Sequence, residues 1–178
     1  MPIRLPSFSM ADANEVLRPV NPLFIAATLV GALLLNLLPL DGTALMLRPD
    51  FLTQVLLFWC IQAPRYVGVG IAWMMGLLMD VGDATLLGQH ALAYAFLAYA
   101  AEYFRRRVLR FPLWQQAAQV SVLLALCSAL VLLVRVVGGA PLPGWLFFVP
   151  ALTGAILWPV VSMLLQSPQR PVRRSASL

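Results

Sequence analysis

Apolar residues come along this chain in long, nearly unbroken runs divided by short polar breaks. The runs cover Asn21 to Leu40, Phe51 to Ile61, Val67 to Met79, Leu86 to Phe104, Leu113 to Val137 and Trp145 to Leu165. Continuous runs, rather than alternating ones, argue against the strands of a porin-like barrel. About 20 apolar residues span a bilayer as a helix, so the pattern predicts six membrane helices. Asn21-Pro22 offers a cap and a first-turn proline for the first, and Asp50 can cap the second. No small-residue cleavage pattern follows the first run, which reads as an anchor. The second and third runs are short, and Gln62-Ala63-Pro64-Arg65 separates them. One bent helix across both would bring Arg65 near the bilayer centre, at a cost of roughly 3 kcal/mol or more. Two short helices with Arg65 at a surface are therefore expected.

Composition removes the alternatives to a membrane. Of the 178 residues, 61% are hydrophobic and 11% charged, against about 45–50% and about 25% in an ordinary soluble domain. A soluble enzyme, a disordered chain and a disulfide-stapled secreted domain are excluded. All 12 basic residues are arginines, and the net charge is +5. Six spans collect ten of these on one side: Arg4, Arg18, Arg65, Arg105, Arg106, Arg107, Arg110, Arg170, Arg173 and Arg174. Arg48 and Arg135 fall on the other side, with Asp41, Asp50, Asp80 and Asp83. The Arg bias places both termini in the cytoplasm. Arg105, Arg106, Arg107, Arg110, Arg170, Arg173 and Arg174 then serve topology and lipid headgroups, and no nucleic-acid partner is expected. The chain divides into a cytoplasmic segment at 1–19, a six-helix transmembrane domain at 20–165 and a flexible Arg-rich cytoplasmic tail at 166–178. Cys60 and Cys127 sit inside apolar runs and read as small buried hydrophobes.

In lipid, close packing of small residues and a few polar contacts bring helices together. Gly68, Ala72, Gly76 and Asp80 recur every four residues on the third helix. Gly88, Ala91, Ala95, Ala98 and Glu102 form a stripe on the fourth, and Ala117, Ser121, Ala125, Ser128 and Arg135 one on the fifth. These predict a tight core of helices one, three, four and five, with Trp73 and Tyr94 pointing elsewhere. The stripes suit internal packing or a partner helix. Asp80, Asp83 and His90 share one stretch, but their spacing matches no metal motif and the chain has no second histidine. The stretch reads as an outer-surface turn in which Gln89 and His90 cap or crosslink helices. Glu102 has helix spacing to Arg105 and Arg106 for an ion pair. Arg135 either reaches the outer surface or pairs with Asp41 or Asp50. Gln115, Gln116 and Gln119 could satisfy backbone groups or bind a partner. No phosphate loop, zinc helix or nucleophile elbow is present. No catalytic, cofactor or metal residue is predicted, and the chain is expected not to be an enzyme.

Particular strings resemble the bacterial rod shape-determining protein MreD family. They are Arg48-Pro49-Asp50-Phe51-Leu52, Val55 to Trp59, Gly68-Val69-Gly70, Gly76 to Asp80, Leu87 to Ala93, Leu113-Trp114-Gln115-Gln116-Ala117 and Gly154 to Pro159. The resemblance implies an all-α bundle similar to the substrate-binding subunits of energy-coupling-factor transporters. It implies a non-enzymatic inner-membrane scaffold of the cell-elongation (rod) complex. That scaffold would bind MreC and, in one complex, the glycosyltransferase RodA, its partner penicillin-binding protein and MreB. It would thereby organise lateral peptidoglycan synthesis. The matching residues Arg48, Pro49, Asp50, Gly76, Asp80, Gly88, Ala91, Trp114, Gln115, Gln116, Trp158 and Pro159 are expected to be structural or partner-facing. The rival reading is a substrate-binding transport subunit or a lipid-carrier handling protein, with a cavity near Asp50, Asp80 and His90.

Overall fold

The computed structural model describes residues 21–39, 42 and 48–167. The segment 1–19 and Arg170, Arg173 and Arg174 of the tail lie outside the described residues. Among the described residues the secondary structure is entirely helical. The six helices are α1 (Pro22–Asn36), α2 (Phe51–Gln62), α3 (Val69–Gly82), α4 (Gln89–Leu109), α5 (Leu113–Val137) and α6 (Val149–Gln166). A 3-10 turn, Trp145–Phe148, leads into α6. Asn21 caps α1 by accepting from the Leu23 N–H at 3.0 Å. Asp50 caps α2 by accepting from the Thr53 N–H at 2.9 Å. The two short runs form separate helices, and Arg65 is exposed in the turn between them.

Element ends differ from the apolar runs where polar groups intervene. The fourth run begins at Leu86, but α4 begins at Gln89. Gly88 precedes it with φ +98°, a left-handed conformation that glycine adopts without steric cost. The other end of α4 runs through the three arginines to Leu109, because arginine is a good helix former.

Helices alternate in direction, and their contacts define two ends. Asn36 at the end of α1 meets Asp50 at the start of α2. Tyr94, early in α4, reaches the same Asp50. At the other end, Arg105 of α4 donates to the Ile61 carbonyl of α2 at 2.6 Å. α2 and α4 therefore run parallel, and α1 runs against both.

The core corrects one expectation. α2, left out of the predicted core, is its most buried element: every residue from Leu52 to Ile61 is buried. It lies against α1, α4 and α6. The Trp59 indole N–H donates to the Thr28 hydroxyl of α1 at 2.9 Å, and Phe58 meets Trp158 of α6 with ring centroids 6.4 Å apart. A helix apolar all round belongs in an interior. A run of this kind carries no small-residue stripe to mark it. α3 packs chiefly on α4. A Cβ on Gly76 would lie 2.3 Å from the Ala91 Cα, so only hydrogen permits this approach. Cys60 and Cys127 are buried and free.

The outer surface is apolar. Leu152, Ile156, Val160, Met163 and Leu164 of α6 are all more than half exposed, at helical spacing along one face. Val122, Leu133 and Val137 of α5 are likewise exposed. Two segments, Trp114–Val137 and Trp145–Gln166, are long and apolar enough to cross a membrane; α1, α2 and α3 are apolar but shorter. A water-soluble protein rarely carries such continuous apolar faces.

Candidate functional site: a polar cleft at one end of the bundle

Two acids, Asp80 buried and Asp50 half-buried, organise this end. Asp80, in the last turn of α3, is 1% exposed. Its carboxylate accepts from the Gly88 N–H at 2.8 Å, the His90 N–H at 2.8 Å and the Ala91 N–H at 3.4 Å. These are the free donors at the N-terminus of α4, where a negative charge is favoured. The His90 ring adds its Nδ1 at 2.8 Å from the same carboxylate, which leaves Nε2 for other partners. One side chain thus caps the next helix and closes the α3–α4 turn. Both carboxylate oxygens are engaged within the chain.

Asp50 does the same work among three helices. It accepts from the Asn36 side-chain amide at 2.7 Å, from the Thr53 N–H and hydroxyl, and from the Tyr94 hydroxyl at 3.2 Å. Asn36, 2% exposed, returns a bond by accepting from the Phe51 N–H at 3.0 Å. α1, α2 and α4 are joined through this one carboxylate. Tyr94 is 1% exposed, so the expectation that it points away from the core is corrected. Asn36, Thr53 and Tyr94 form one network that no sequence spacing displays. Their signal was weak: polar residues far apart in sequence, each near the cleft end of an apolar run.

Beside these acids lies a cavity of about 400 Å³. Arg48, Asp50, Asp83, His90 and Arg135 supply its charged and titratable lining. Leu124 and Val131 of α5 with Phe147 and Ala151 form an apolar wall. The Arg48-Pro49-Asp50 string and the stretch from Asp80 to His90, distant in sequence, meet here. Arg48 donates to the Leu38 carbonyl at 3.0 Å. The only ion pair within 4.0 Å among the described residues is His90 with Asp80. The expected pairing of Glu102 with Arg105 or Arg106 is therefore absent, as is that of Arg135 with Asp50. Arg105 instead holds the last turn of α2, whose carbonyls lack helical partners. Asp41 lies outside the described residues.

The remaining candidates divide between interior and surface. Ala72 and Ala91 are fully buried, Ala95 is half-buried, and Gly68 precedes α3 at its N-cap. Gly88 forms the turn into α4. Trp158 and Pro159 are buried in α6, with Trp158 against Phe58 of α2. Trp114 is 79% exposed and Gln115 exposed. Gln116 donates to the Phe111 carbonyl at 2.9 Å. Arg106, Arg107 and Arg110 are exposed at the opposite end from the cleft.

An apolar exterior, a helical interior joined by buried polar groups and a charged cleft at one end define a small membrane-type helical bundle. The family model for the rod shape-determining protein MreD matches residues 18–168. Over 151 residues the chain is 30% identical to the rod shape-determining protein MreD of Haemophilus influenzae, covering 84% of this chain and 92% of that protein. The chain belongs to the MreD family of membrane-associated proteins of rod-shape determination. No solved structure matches it.

Proposed function

We propose that this protein is a non-enzymatic scaffold of the cell-elongation complex. It crosses the inner membrane six times with both termini in the cytoplasm. It binds MreC and, through it, helps organise RodA, its partner penicillin-binding protein and MreB during lateral peptidoglycan synthesis. The match along residues 18–168 carries this reading. The placement of polar groups supports it: Asp80 and Asp50 have the hydrogen-bond partners of structural crosslinks. The charge distribution supports the orientation, with Arg65, Arg105, Arg106, Arg107 and Arg110 at one end and Arg48 and Arg135 at the other.

A single-span partner needs a lateral surface. Gly76 and Ala91 are already occupied by the α3–α4 crossing. An apolar groove of about 440 Å³ remains between α1 and α3, lined by Ile25, Ala26, Leu29, Met74 and Met75. Methionine adapts to irregular surfaces, and the small Ala26 leaves room for a helix. The MreC transmembrane helix lies in this groove. Co-purification from detergent tests the reading. Wild type retains MreC, and Ala26→Trp releases it while keeping its own thermal midpoint. A wild-type protein that never retains MreC refutes the scaffold.

A further inference from the structure

The cleft carries an inference that the scaffold reading does not require. Its lining carries both signs of charge: Arg48 and Arg135 border it together with Asp50 and Asp83. A simple anion would meet two carboxylates, and a simple cation two guanidinium groups. A zwitterion satisfies both. Asp50 is held by Asn36, Thr53 and Tyr94, so Asp83 is the carboxylate left for a ligand. The Arg135 guanidinium forms no hydrogen bond or ion pair with any described residue, although its backbone carbonyl accepts from the Ala140 N–H at 3.1 Å. Guanidinium groups suit phosphate, with several N–H donors in a fixed plane. The other wall is apolar, from Leu124, Val131, Leu146, Phe147, Pro150 and Ala151. The volume lies within the usual range for a small-molecule site, about 300–1,000 Å³.

We infer that the cleft binds the headgroup of a zwitterionic amphiphile, a phosphate joined to a primary ammonium, with Arg48 and Arg135 on the phosphate and Asp83 on the ammonium. The hydrocarbon beside the headgroup lies along Leu124, Val131 and Phe147. The site is at the bundle end, where the proposed orientation puts the membrane interface, so an ethanolamine phospholipid can enter sideways. Ser128 lines the same cavity and offers a hydroxyl donor to a phosphate oxygen, whereas the Thr85 hydroxyl is turned to Asp80. Binding there would brace α5 and the turn into α6 against the α3–α4 turn.

The test uses the full chain, purified in detergent and stripped of lipid. Binding of dihexanoylphosphatidylethanolamine is measured by native mass spectrometry against three probes: dihexanoylphosphatidylglycerol, dihexanoylglycerol and inorganic phosphate. Saturable binding is expected for the ethanolamine lipid, weaker binding for the glycerol phospholipid and none for the phosphate-free diacylglycerol. Inorganic phosphate should not compete at the same concentration. Arg135→Gln should weaken ethanolamine-lipid binding by about tenfold, the scale of one lost charged hydrogen bond, while Arg135→Lys recovers part of it. Asp83→Asn should remove the preference for ethanolamine over glycerol without abolishing binding. Glu102→Gln, an exposed charge toward the far end of α4, should change nothing. Arg135 and Asp83 are exposed, and unchanged thermal midpoints would exclude misfolding of their variants. Equal binding of diacylglycerol, wild-type affinity in Arg135→Gln, or competition by free phosphate at equal concentration would each overturn the proposal. Because no MreC is present, failure here leaves the scaffold reading standing, and loss of MreC binding leaves this one standing.

Discussion

At the cleft end, acidic side chains are parts of the framework. Asp80 caps α4 from inside α3, and Asp50 ties α1, α2 and α4 together. At the opposite end, Arg106, Arg107 and Arg110 stand exposed, and only Arg105 turns inward to a backbone carbonyl. The contrast follows from geometry. A carboxylate is short and acceptor-only, so it can sit within a turn and gather N–H groups. An arginine is long and strongly polar, and it reaches the interface from the end of an apolar helix. Charge at one end therefore specifies which helices meet, and charge at the other, in the proposed orientation, is what sets which way the bundle sits in the membrane.

Substitutions at the two ends should separate these roles. The largest effect is expected at Gly76, one turn before Asp80. Gly76→Ala places a carbon 2.3 Å from the Ala91 Cα, and forcing the helices apart should cost about 3 kcal/mol. Gly76→Leu should leave no monodisperse protein on size-exclusion chromatography. Asp80→Ala comes next, because it orphans several N–H groups of α4 in a buried turn; a loss of about 3 kcal/mol is expected. A lowered thermal midpoint in detergent, with faster hydrogen exchange confined to residues 86–92, would show it. Asp50→Ala should cost about 2 kcal/mol, through the lost α2 cap and the acceptor lost to the Tyr94 hydroxyl and the Asn36 side-chain N–H. Tyr94→Phe removes one hydrogen bond and should cost about 1 kcal/mol. Double substitution of Arg106 and Arg107 by Gln should leave the thermal midpoint within about 0.5 kcal/mol of wild type. That pair should instead increase the fraction of molecules inserted upside down. A midpoint as low as that of Asp80→Ala would erase the contrast between the ends.

Much of this was legible in the sequence because runs and breaks are local. The six apolar runs correspond to six helices, and the Asn21 and Asp50 caps lie where their residue types placed them. The Gly76 stripe identified a face capable of close approach. The rest required knowing which runs are neighbours. α2 has no polar face, so its central position follows from three-dimensional packing rather than periodicity. Tyr94 resembled an outward aromatic until the start of α2 supplied Asp50 as its partner. Glu102 has the right spacing for Arg105, yet Arg105 is drawn away by the unpaired carbonyl of Ile61, a group that no sequence pattern displays. The cleft is likewise a meeting of two loops and α5, visible only once the ends of the helices are placed.

The central claim is that the two ends face opposite sides of one membrane. Single cysteines at Thr85 and Arg135, and separately at Arg65 and Arg107, can be introduced into a chain whose native Cys60 and Cys127 are replaced by alanine. Labelling intact spheroplasts with a membrane-impermeant maleimide should modify the first pair at once and the second only after the membrane is opened. Equal labelling of both pairs from outside, or protection of both until lysis, would contradict the account.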